Sequence, residues 1–179
     1  MRTPDPNIAD RQRCWDEQIT PQLPELLTKL LESPIYGAAP DRPKPPKAYG
    51  VYLFSERGRP CYIGRVGLTE RSRRKGEGKR FSNFRTRLNG HTSRRAQHNE
   101  ATYAYSRTCE VFRDRGIALA QTRAANCDNP VFMEEFRRQI ERVTKMDFQV
   151  VEINDDRLAV VFEVYAATVL GLHQSFAVS

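Results

Sequence analysis

The sequence lacks any long hydrophobic run. None of its segments approaches the roughly 18 consecutive apolar residues that a membrane-spanning helix needs. The N-terminal residues MRTPDPNIADRQRC also lack the apolar core of a secretory signal. We therefore expect a cytoplasmic protein with no membrane partner.

Cysteine is scarce and dispersed along the chain. The sequence has four cysteines, with no CxxC pair and no histidine pattern beside them: Cys14, Cys61, Cys109 and Cys127. This spacing argues against a zinc site. We expect all four to be reduced thiols, as in a cytosolic protein.

The composition is that of a folded chain. Hydrophobic residues make up 39% of the 179 residues, which excludes a fully disordered protein. The length suits one domain with an added arm. We expect residues 1–47 to form a helical arm with a proline-rich connector, and residues 48–179 to form the main domain.

Positive charge is abundant and concentrated in one segment. The net charge is +7, and the segment from Arg65 to Arg95 carries 11 Lys or Arg against only Glu70 and Glu77. Such a stripe suits a phosphate backbone. A solvated charged loop remains the alternative, and the stripe lacks the apolar face of a membrane-binding helix. The candidates for nucleic-acid contact are Arg65, Arg73, Arg74, Lys75, Lys79, Arg80, Arg85, Arg94 and Arg95.

Hydrophobic periodicity and turn residues predict an alternation of helices and strands. Residues 7–33 read as a helix that prolines break or restart, and residues 34–47 read as an extended connector. The connector leads into a β-hairpin with strands 49–54 and 61–65. The sequence then predicts a helix at 83–90 capped by Ser82 or Asn83, one or two helices in 96–125 and a helix starting at Asn129-Pro130. The last predicted elements are a strand at 147–153 and a helix at 157–170, capped within residues 154–156 (Asn-Asp-Asp).

Two tyrosines of the hairpin are candidates for chemistry. Pairing Phe54 near Pro60 would bring Tyr52 opposite Tyr62 on one face of the sheet. Gly64 beside these phenols would leave room for a backbone or ligand. Ordinary packing of strand tyrosines is the alternative for each taken singly.

The helix after the basic loop adds two further candidates. Arg87 and His91 are four residues apart and share a helical face. A guanidinium can clamp phosphate oxygens, and an imidazole can donate or shuttle a proton. A surface arginine beside a helix-end histidine is the alternative.

Glu163 is the candidate metal ligand. It is the only charged residue in the segment LAVVFEVYAATVLGL, residues 158–172. The helix has a broad apolar face, made by Leu158, Val161, Phe162, Tyr165 and Val169. Val160 and Val164 flank Glu163 as well, so we expect much of this helix to be covered by the rest of the protein. A buried carboxylate needs a cation, an arginine or a solvated cleft. An outward-pointing glutamate is the alternative.

These side chains suit phosphodiester hydrolysis. The reaction needs a positioned water, a base and neutralisation of charge. Mg²⁺ binds through one or two carboxylates and keeps several waters, which fits a lone Glu163. A phenol is a poor base at its free pKa of about 10, and we expect a nearby metal or arginine to lower the pKa of Tyr52.

The ordered set of motifs resembles the GIY-YIG nuclease superfamily. The residues that carry the resemblance are GVY (50–52), YIG (62–64) ten residues later from tyrosine to tyrosine, the pair Arg87 and His91, and the helical Glu163. The resemblance implies a mixed α/β (α+β) fold, in which helices flank a three-stranded antiparallel sheet. It covers about residues 48–176, with a basic insertion at 65–82 and a helical insertion at 96–146.

The resemblance also implies a function. It implies a DNA endonuclease with one Mg²⁺ or Mn²⁺ held by Glu163, Tyr52 as general base, Tyr62 as a positioning phenol or second base, and Arg87 and His91 as phosphate partners. The basic insertion is similar to that of the restriction-enzyme branch, and the sequence leaves open whether two copies form a homodimer that cuts both strands. Family members often carry an asparagine about a dozen residues after the glutamate, where this chain has Ser175. The missing asparagine leaves a nucleic-acid-binding module without catalysis as one alternative, and the proline-rich segment 34–47 leaves a plain interaction domain as another.

Overall fold

The computed structural model describes residues 6–67 and 83–172. The strands are β1 (Gly50–Glu56), β2 (Arg59–Val66) and β3 (Asp147–Glu152). The helices are α1 (Pro6–Cys14), a π-helical segment (Trp15–Ile19), α2 (Gln22–Glu32), α3 (Phe84–Thr92), α4 (Thr102–Asp114), α5 (Arg123–Cys127), α6 (Pro130–Thr144) and α7 (Asp156–Val169). None of the helices in these ranges is both long and apolar enough to cross a membrane.

The strands form one antiparallel sheet with β1 in the centre, in the order β2-β1-β3. Side chains alternate between the two faces of a strand, and both faces of β1 are buried. Tyr52 and Phe54 point to one face, while Val51 and Leu53 point to the other. The prediction of a mixed α/β fold, with a three-stranded antiparallel sheet flanked by helices, is confirmed.

The first face of the sheet is covered by α3, α4 and α6. Phe84 and Leu88 of α3 pack with Phe112 of α4 and Phe136 of α6 in one buried cluster. Burying each such side chain stabilises the fold by about 1.5–3 kcal/mol. Helices from the predicted insertion 96–146 therefore form part of the layer that covers Tyr52.

The second face is covered by α2 and α7. Leu30 of α2 and Phe162 of α7 are fully buried against Val51 and Leu53. The chain from residue 22 to 32 thus packs on the core. A turn at Thr20 and Pro21 precedes α2, as expected for a helix that proline restarts.

The proline-rich connector runs along the outer side of β3. Tyr36 forms an antiparallel bridge with Phe148, in which each backbone N–H donates to the other residue's carbonyl. The Gln149 side chain also donates to the carbonyl oxygen of Leu31 at 2.7 Å. These bonds tie the connector to the edge of the sheet.

Three helices begin at the residues that the sequence predicts. The Asn83 side chain caps α3 by accepting from Thr86 N, and the Asn129 side chain caps α6 just before Pro130. The Asp155 side chain accepts from two backbone N–H groups of α7. Each cap satisfies donors that the first helical turn leaves free, and is worth about 1 kcal/mol.

The hairpin register differs from the prediction. Tyr52 lies opposite Gly64, and Tyr62 lies opposite Phe54. The turn has only two residues, Arg57 and Gly58, both with positive φ, and a β-bulge shifts the register between Phe54 and Ser55, just before the turn. An unbulged two-residue hairpin would turn Tyr62 to the face opposite Tyr52, because side chains alternate. The bulge therefore places both phenols on the same face.

The surroundings of α7 also differ from the prediction. Val160 and Val164 are 41% and 45% exposed, and Val169 is 55% exposed. The helix buries a narrower stripe, which includes Phe162 and Ala166. Only one side of α7 contacts the sheet and α2, so the other side faces solvent.

Candidate active site

A polar pocket of about 400 Å³ lies at the edge of the sheet formed by β2. Its lining residues come from β1, β2, the residue after β2, α3 and α7: Tyr52, Tyr62, Gly64, Arg65, Val66, Gly67, Arg87 and Glu163. Side chains of β2 point to both faces of the sheet, so the pocket joins the two layers of helices. Four of the five predicted site residues line this pocket, and His91 lies behind it in contact with Tyr52.

Tyr52 is the centre of the site. Its side chain is fully buried, and its hydroxyl oxygen accepts a hydrogen bond from Arg87 Nε at 3.0 Å. The same oxygen lies 2.9 Å from His91 Nε2. The ring centroids of Tyr52 and Tyr62 are 6.1 Å apart. The structure thus brings together the four residues that the sequence predicts on the first face of the sheet.

Burial controls the protonation of Tyr52. Burial raises the pKa of this phenol well above its usual value, and Tyr62 raises it further, while Arg87 acts in the opposite direction. Arg87 thus acts in the expected direction, but burial outweighs it, and the Tyr52 pKa stays above its usual value. At neutral pH the Tyr52 hydroxyl keeps its proton.

His91 is a neutral base in contact with that hydroxyl. Its side chain is fully buried. Burial lowers the His91 pKa well below its usual value, and the nearby Arg87 lowers it further. Nε2 contacts Tyr52, whereas the buried Nδ1 has no hydrogen-bond partner among the residues that the structure describes. A neutral imidazole with Nε2 unprotonated can accept the Tyr52 proton.

Thr102 is a member of the site that the sequence does not reveal. Its hydroxyl oxygen lies 3.3 Å from the Tyr62 hydroxyl and accepts from Arg87 Nη2 at 3.3 Å. Thr102 is the first residue of α4 and is far from both partners in sequence. A threonine at a helix start is common, so the sequence offers no signal for this contact.

Gly64 makes room for Tyr52. A Cβ atom at Gly64 would lie 2.5 Å from the Tyr52 hydroxyl oxygen and 2.6 Å from its ring carbon Cζ. The prediction that Gly64 leaves room beside the phenols for a backbone or ligand is therefore wrong. The space is filled by Tyr52 itself, which lies across the glycine and points its hydroxyl toward Arg87.

Glu163 approaches the pocket from the second layer of helices. Its side chain is 20% exposed, and one carboxylate oxygen lies 3.1 Å from Arg65 Nε. Burial raises the Glu163 pKa above its usual value, while Arg65 and then Arg87 lower it. Arg65 thus provides the cation that a half-buried carboxylate needs.

The residues at Glu163 fit a single-carboxylate metal site. The described residues contain no group of three or more His, Cys, Asp or Glu side chains that could hold a metal ion together. Mg²⁺ does not require such a group, because it binds through one or two carboxylates with water and phosphate oxygens. Glu163 lines an open polar pocket beside Arg87, a phosphate-binding type of side chain.

The predicted nucleic-acid contacts have different surroundings. Arg65 pairs with Glu163, and the guanidinium of Arg85 donates to the carbonyl oxygen of Pro45 at 3.2 and 3.3 Å. Arg94 and Arg95 are exposed and lie in a separate cleft. The other candidates for nucleic-acid contact lie outside the described residues: Arg73, Arg74, Lys75, Lys79 and Arg80. So does Ser175, which stands where members of the superfamily often carry an asparagine.

Comparison of the chain with protein-family models, with curated proteins and with solved structures found no match. The resemblance to the GIY-YIG superfamily therefore stays a prediction from the motifs.

Proposed function

We propose that this protein is a metal-dependent endonuclease that hydrolyses phosphodiester bonds in DNA. The observation that carries the proposal is the convergence of Tyr52, Arg87 and Glu163 on one open pocket. These three side chains come from different elements and are distant in sequence. Together they offer a proton path, a phosphate-binding cation and a carboxylate for a divalent metal.

Arg87 would hold the substrate phosphate. Its guanidinium reaches the pocket while Nε is fixed by Tyr52 and Nη2 by Thr102. A guanidinium has five N–H donors, so these bonds leave donors for phosphate oxygens. A planar group held in this way loses little side-chain entropy when the phosphate binds.

Tyr52 and His91 would form a proton relay. The attacking water gives its proton to the Tyr52 hydroxyl oxygen as the phenol passes its own proton to His91 Nε2. No free phenolate is required, which agrees with the raised Tyr52 pKa. A phosphate anion bound to Arg87 would offset the positive charge that helps to lower the His91 pKa, so His91 becomes a better acceptor when substrate is present.

Glu163 would hold the metal. Mg²⁺ or Mn²⁺ bound there would neutralise charge on the phosphate and assist the leaving oxygen. Arg65, which pairs with Glu163 in the protein alone, would be free to contact a phosphate once the carboxylate has another cation.

The test is cleavage of supercoiled plasmid DNA in the presence of Mg²⁺. We expect the wild type to nick or cut the plasmid, and Tyr52→Phe and Glu163→Gln each to reduce the rate by about 10²–10⁴-fold. Tyr105→Phe is the matched tyrosine control, because its hydroxyl contacts Asn126 away from the pocket. Glu152→Gln, an exposed position on β3, is the control for the carboxylate.

Two results would refute the proposed endonuclease activity. One is a wild type that cuts no DNA with either metal. The other is a Glu163→Gln variant that cuts as fast as the wild type. Equal losses in the control variants would point to unfolding, so each variant is first compared with the wild type by thermal denaturation.

A nucleic-acid-binding module of the same fold is the second candidate. The Arg65–Glu163 ion pair favours it, because a carboxylate permanently neutralised by arginine would hold no metal. This candidate predicts salt-sensitive DNA binding without turnover at any metal concentration. Metal-dependent cleavage excludes it.

We extend the proposal to a restriction-type enzyme that acts as a homodimer. A restriction-type enzyme in the cytoplasm would use two copies of this site, one for each strand of the duplex. A homodimer on DNA would give double-strand cuts at a fixed stagger, whereas a monomer would give nicks. Cleavage products on the plasmid distinguish the two.

A further inference from the structure

A second cavity shares no lining residue with the pocket at Tyr52 and Glu163. It measures about 320 Å³ and lies between α6 and the segment that follows α3. Three exposed arginines and three largely apolar side chains are prominent in its lining: Arg94, Arg95, Arg137, Met133, Phe136 and Ile140. A neighbouring cavity of about 310 Å³ shares Arg94, Arg137 and Ile140 with it and is also lined by Glu141, so the two cavities together hold three arginines and one carboxylate. We call the two together the Arg94–Arg137 cleft.

The cleft has an excess of positive charge. Among the described residues, none of the guanidinium groups of Arg94, Arg95 and Arg137 lies within ion-pair distance of a carboxylate. Arg138, the next residue of α6, pairs with both Glu134 and Glu135. The arginines of the cleft are thus available to an anionic partner, and neighbouring like charges favour binding one.

The cleft begins where the helix of the active site ends. Arg94 follows His91 by three residues, and the Thr144 hydroxyl of α6 donates to the carbonyl oxygen of Thr92 at 3.4 Å. The cleft therefore adjoins the C-terminal end of α3.

We propose that the Arg94–Arg137 cleft binds the phosphodiester backbone of duplex DNA. Guanidinium groups match phosphate oxygens in geometry as well as charge, and the apolar floor suits the sugar between two phosphates. In the context of the proposed endonuclease, on which this part rests, the cleft would hold backbone phosphates other than the one that is cut. Such contacts hold the duplex in register and carry no sequence preference.

The test is the salt dependence of DNA binding, measured without divalent metal so that no cleavage takes place. A fluorescent DNA duplex is titrated with the wild type, Arg94→Ala/Arg137→Ala and Arg94→Lys/Arg137→Lys over a range of salt concentrations. We expect the slope of log K against log salt to become shallower by about 2 in the alanine double variant, because two phosphate contacts are lost. The lysine double variant should keep the wild-type slope. Arg138→Ala removes one positive charge from the same helix as Arg137→Ala and should also keep the wild-type slope, because Arg138 is paired with carboxylates.

Three outcomes would overturn the inference. They are an unchanged slope in the alanine double variant, the same change in Arg138→Ala, and a change seen with duplex RNA but not with DNA. The assay is independent of catalysis. If the wild type cuts DNA and the slope is unchanged, only the cleft is refuted. If the slope changes and the wild type cuts nothing, only the endonuclease is refuted.

Discussion

At the scale of single residues, the site is a short chain of hydrogen bonds in a buried environment. Arg87 donates to Tyr52, and Tyr52 contacts His91, so three ionisable groups share one small volume. Burial raises the pKa of the tyrosine and lowers that of the histidine. Both side chains are therefore neutral in the protein without substrate, and the positive charge of this hydrogen-bonded trio lies on Arg87.

The first prediction concerns Thr102. Replacing it with valine keeps the shape and removes the oxygen that accepts from Arg87 Nη2. We expect DNA cleavage to slow by about 10- to 100-fold, because a hydrogen bond to a charged group is worth about 1.5–3 kcal/mol. The measurement is the single-turnover cleavage rate at saturating enzyme.

Two variants separate positioning from general damage to the fold. Thr102→Ser keeps the hydroxyl and should restore the rate to within a few-fold of the wild type. Thr108→Val removes a buried hydroxyl from the same helix without touching the site, since Thr108 donates to the carbonyl oxygen of Ala104. An equal effect of Thr108→Val and Thr102→Val would refute the positioning role.

The second prediction concerns the stability of the protein against pH. The unfolded chain binds a proton at His91 below about pH 6.5, while the folded protein does not, because its His91 pKa is lowered. The unfolded state therefore binds more protons in that range, and the free energy of unfolding falls as the pH is lowered below about 6.5. Urea denaturation between about pH 5 and pH 8 measures this slope.

The control for this slope is a histidine outside the site. His91→Asn should flatten the dependence of the free energy of unfolding on pH. His98→Asn, which replaces a half-buried histidine in the Arg94–Arg137 cleft, is measured in parallel as the control. A wild-type slope that survives in His91→Asn would show that another group causes it.

At the scale of elements, the bulged hairpin decides which face carries the phenols. The two-residue turn at Arg57 and Gly58 and the bulge before it together shift β2 against β1. This shift aligns Gly64 with Tyr52 and leaves Tyr62 diagonal to it. The local geometry of one strand pair thus sets the distance between two side chains of the site.

The third prediction tests this alignment with Gly64→Ala. The added Cβ would lie 2.5 Å from the Tyr52 hydroxyl oxygen, so Tyr52 must move away from Arg87 and His91. We expect a loss of stability of about 1–3 kcal/mol, measured by urea denaturation, and a slower cleavage rate. Gly90→Ala is the matched variant on α3, because its Cβ would meet nothing closer than 3.7 Å. Equal stability and activity of Gly64→Ala and the wild type would contradict the close contact.

The sequence predicts elements better than it predicts registers. The starts of α3, α6 and α7 follow from asparagine, proline and aspartate at positions where only local geometry matters. The bulge in the hairpin has no comparable signal, because it depends on how both faces of β1 pack. The position of Thr102 likewise depends on how α4 docks, which the sequence does not specify.

At the scale of the whole molecule, the three layers bring distant residues to one edge of the sheet. Arg87 belongs to the layer on one face and Glu163 to the layer on the other, and they meet at the pocket beside β2. The motifs predicted that these residues act together, but their order along the chain could not give the Arg65–Glu163 ion pair. The exposure of Val160 and Val164 was also missed, since a run of apolar residues does not show which side of a helix is covered.

The most direct test of the proposed hydrolysis is to map cleavage on a complex library of DNA sequences with Mg²⁺. If the protein is the proposed endonuclease, the wild type cuts at discrete positions. Cleavage at these positions should be lost or slowed by about 10²–10⁴-fold in Tyr52→Phe and Glu163→Gln. Tyr105→Phe and Glu152→Gln should cut at the wild-type rate. An absence of cuts by the wild type, or the same cuts at the same rate by Glu163→Gln, would contradict it.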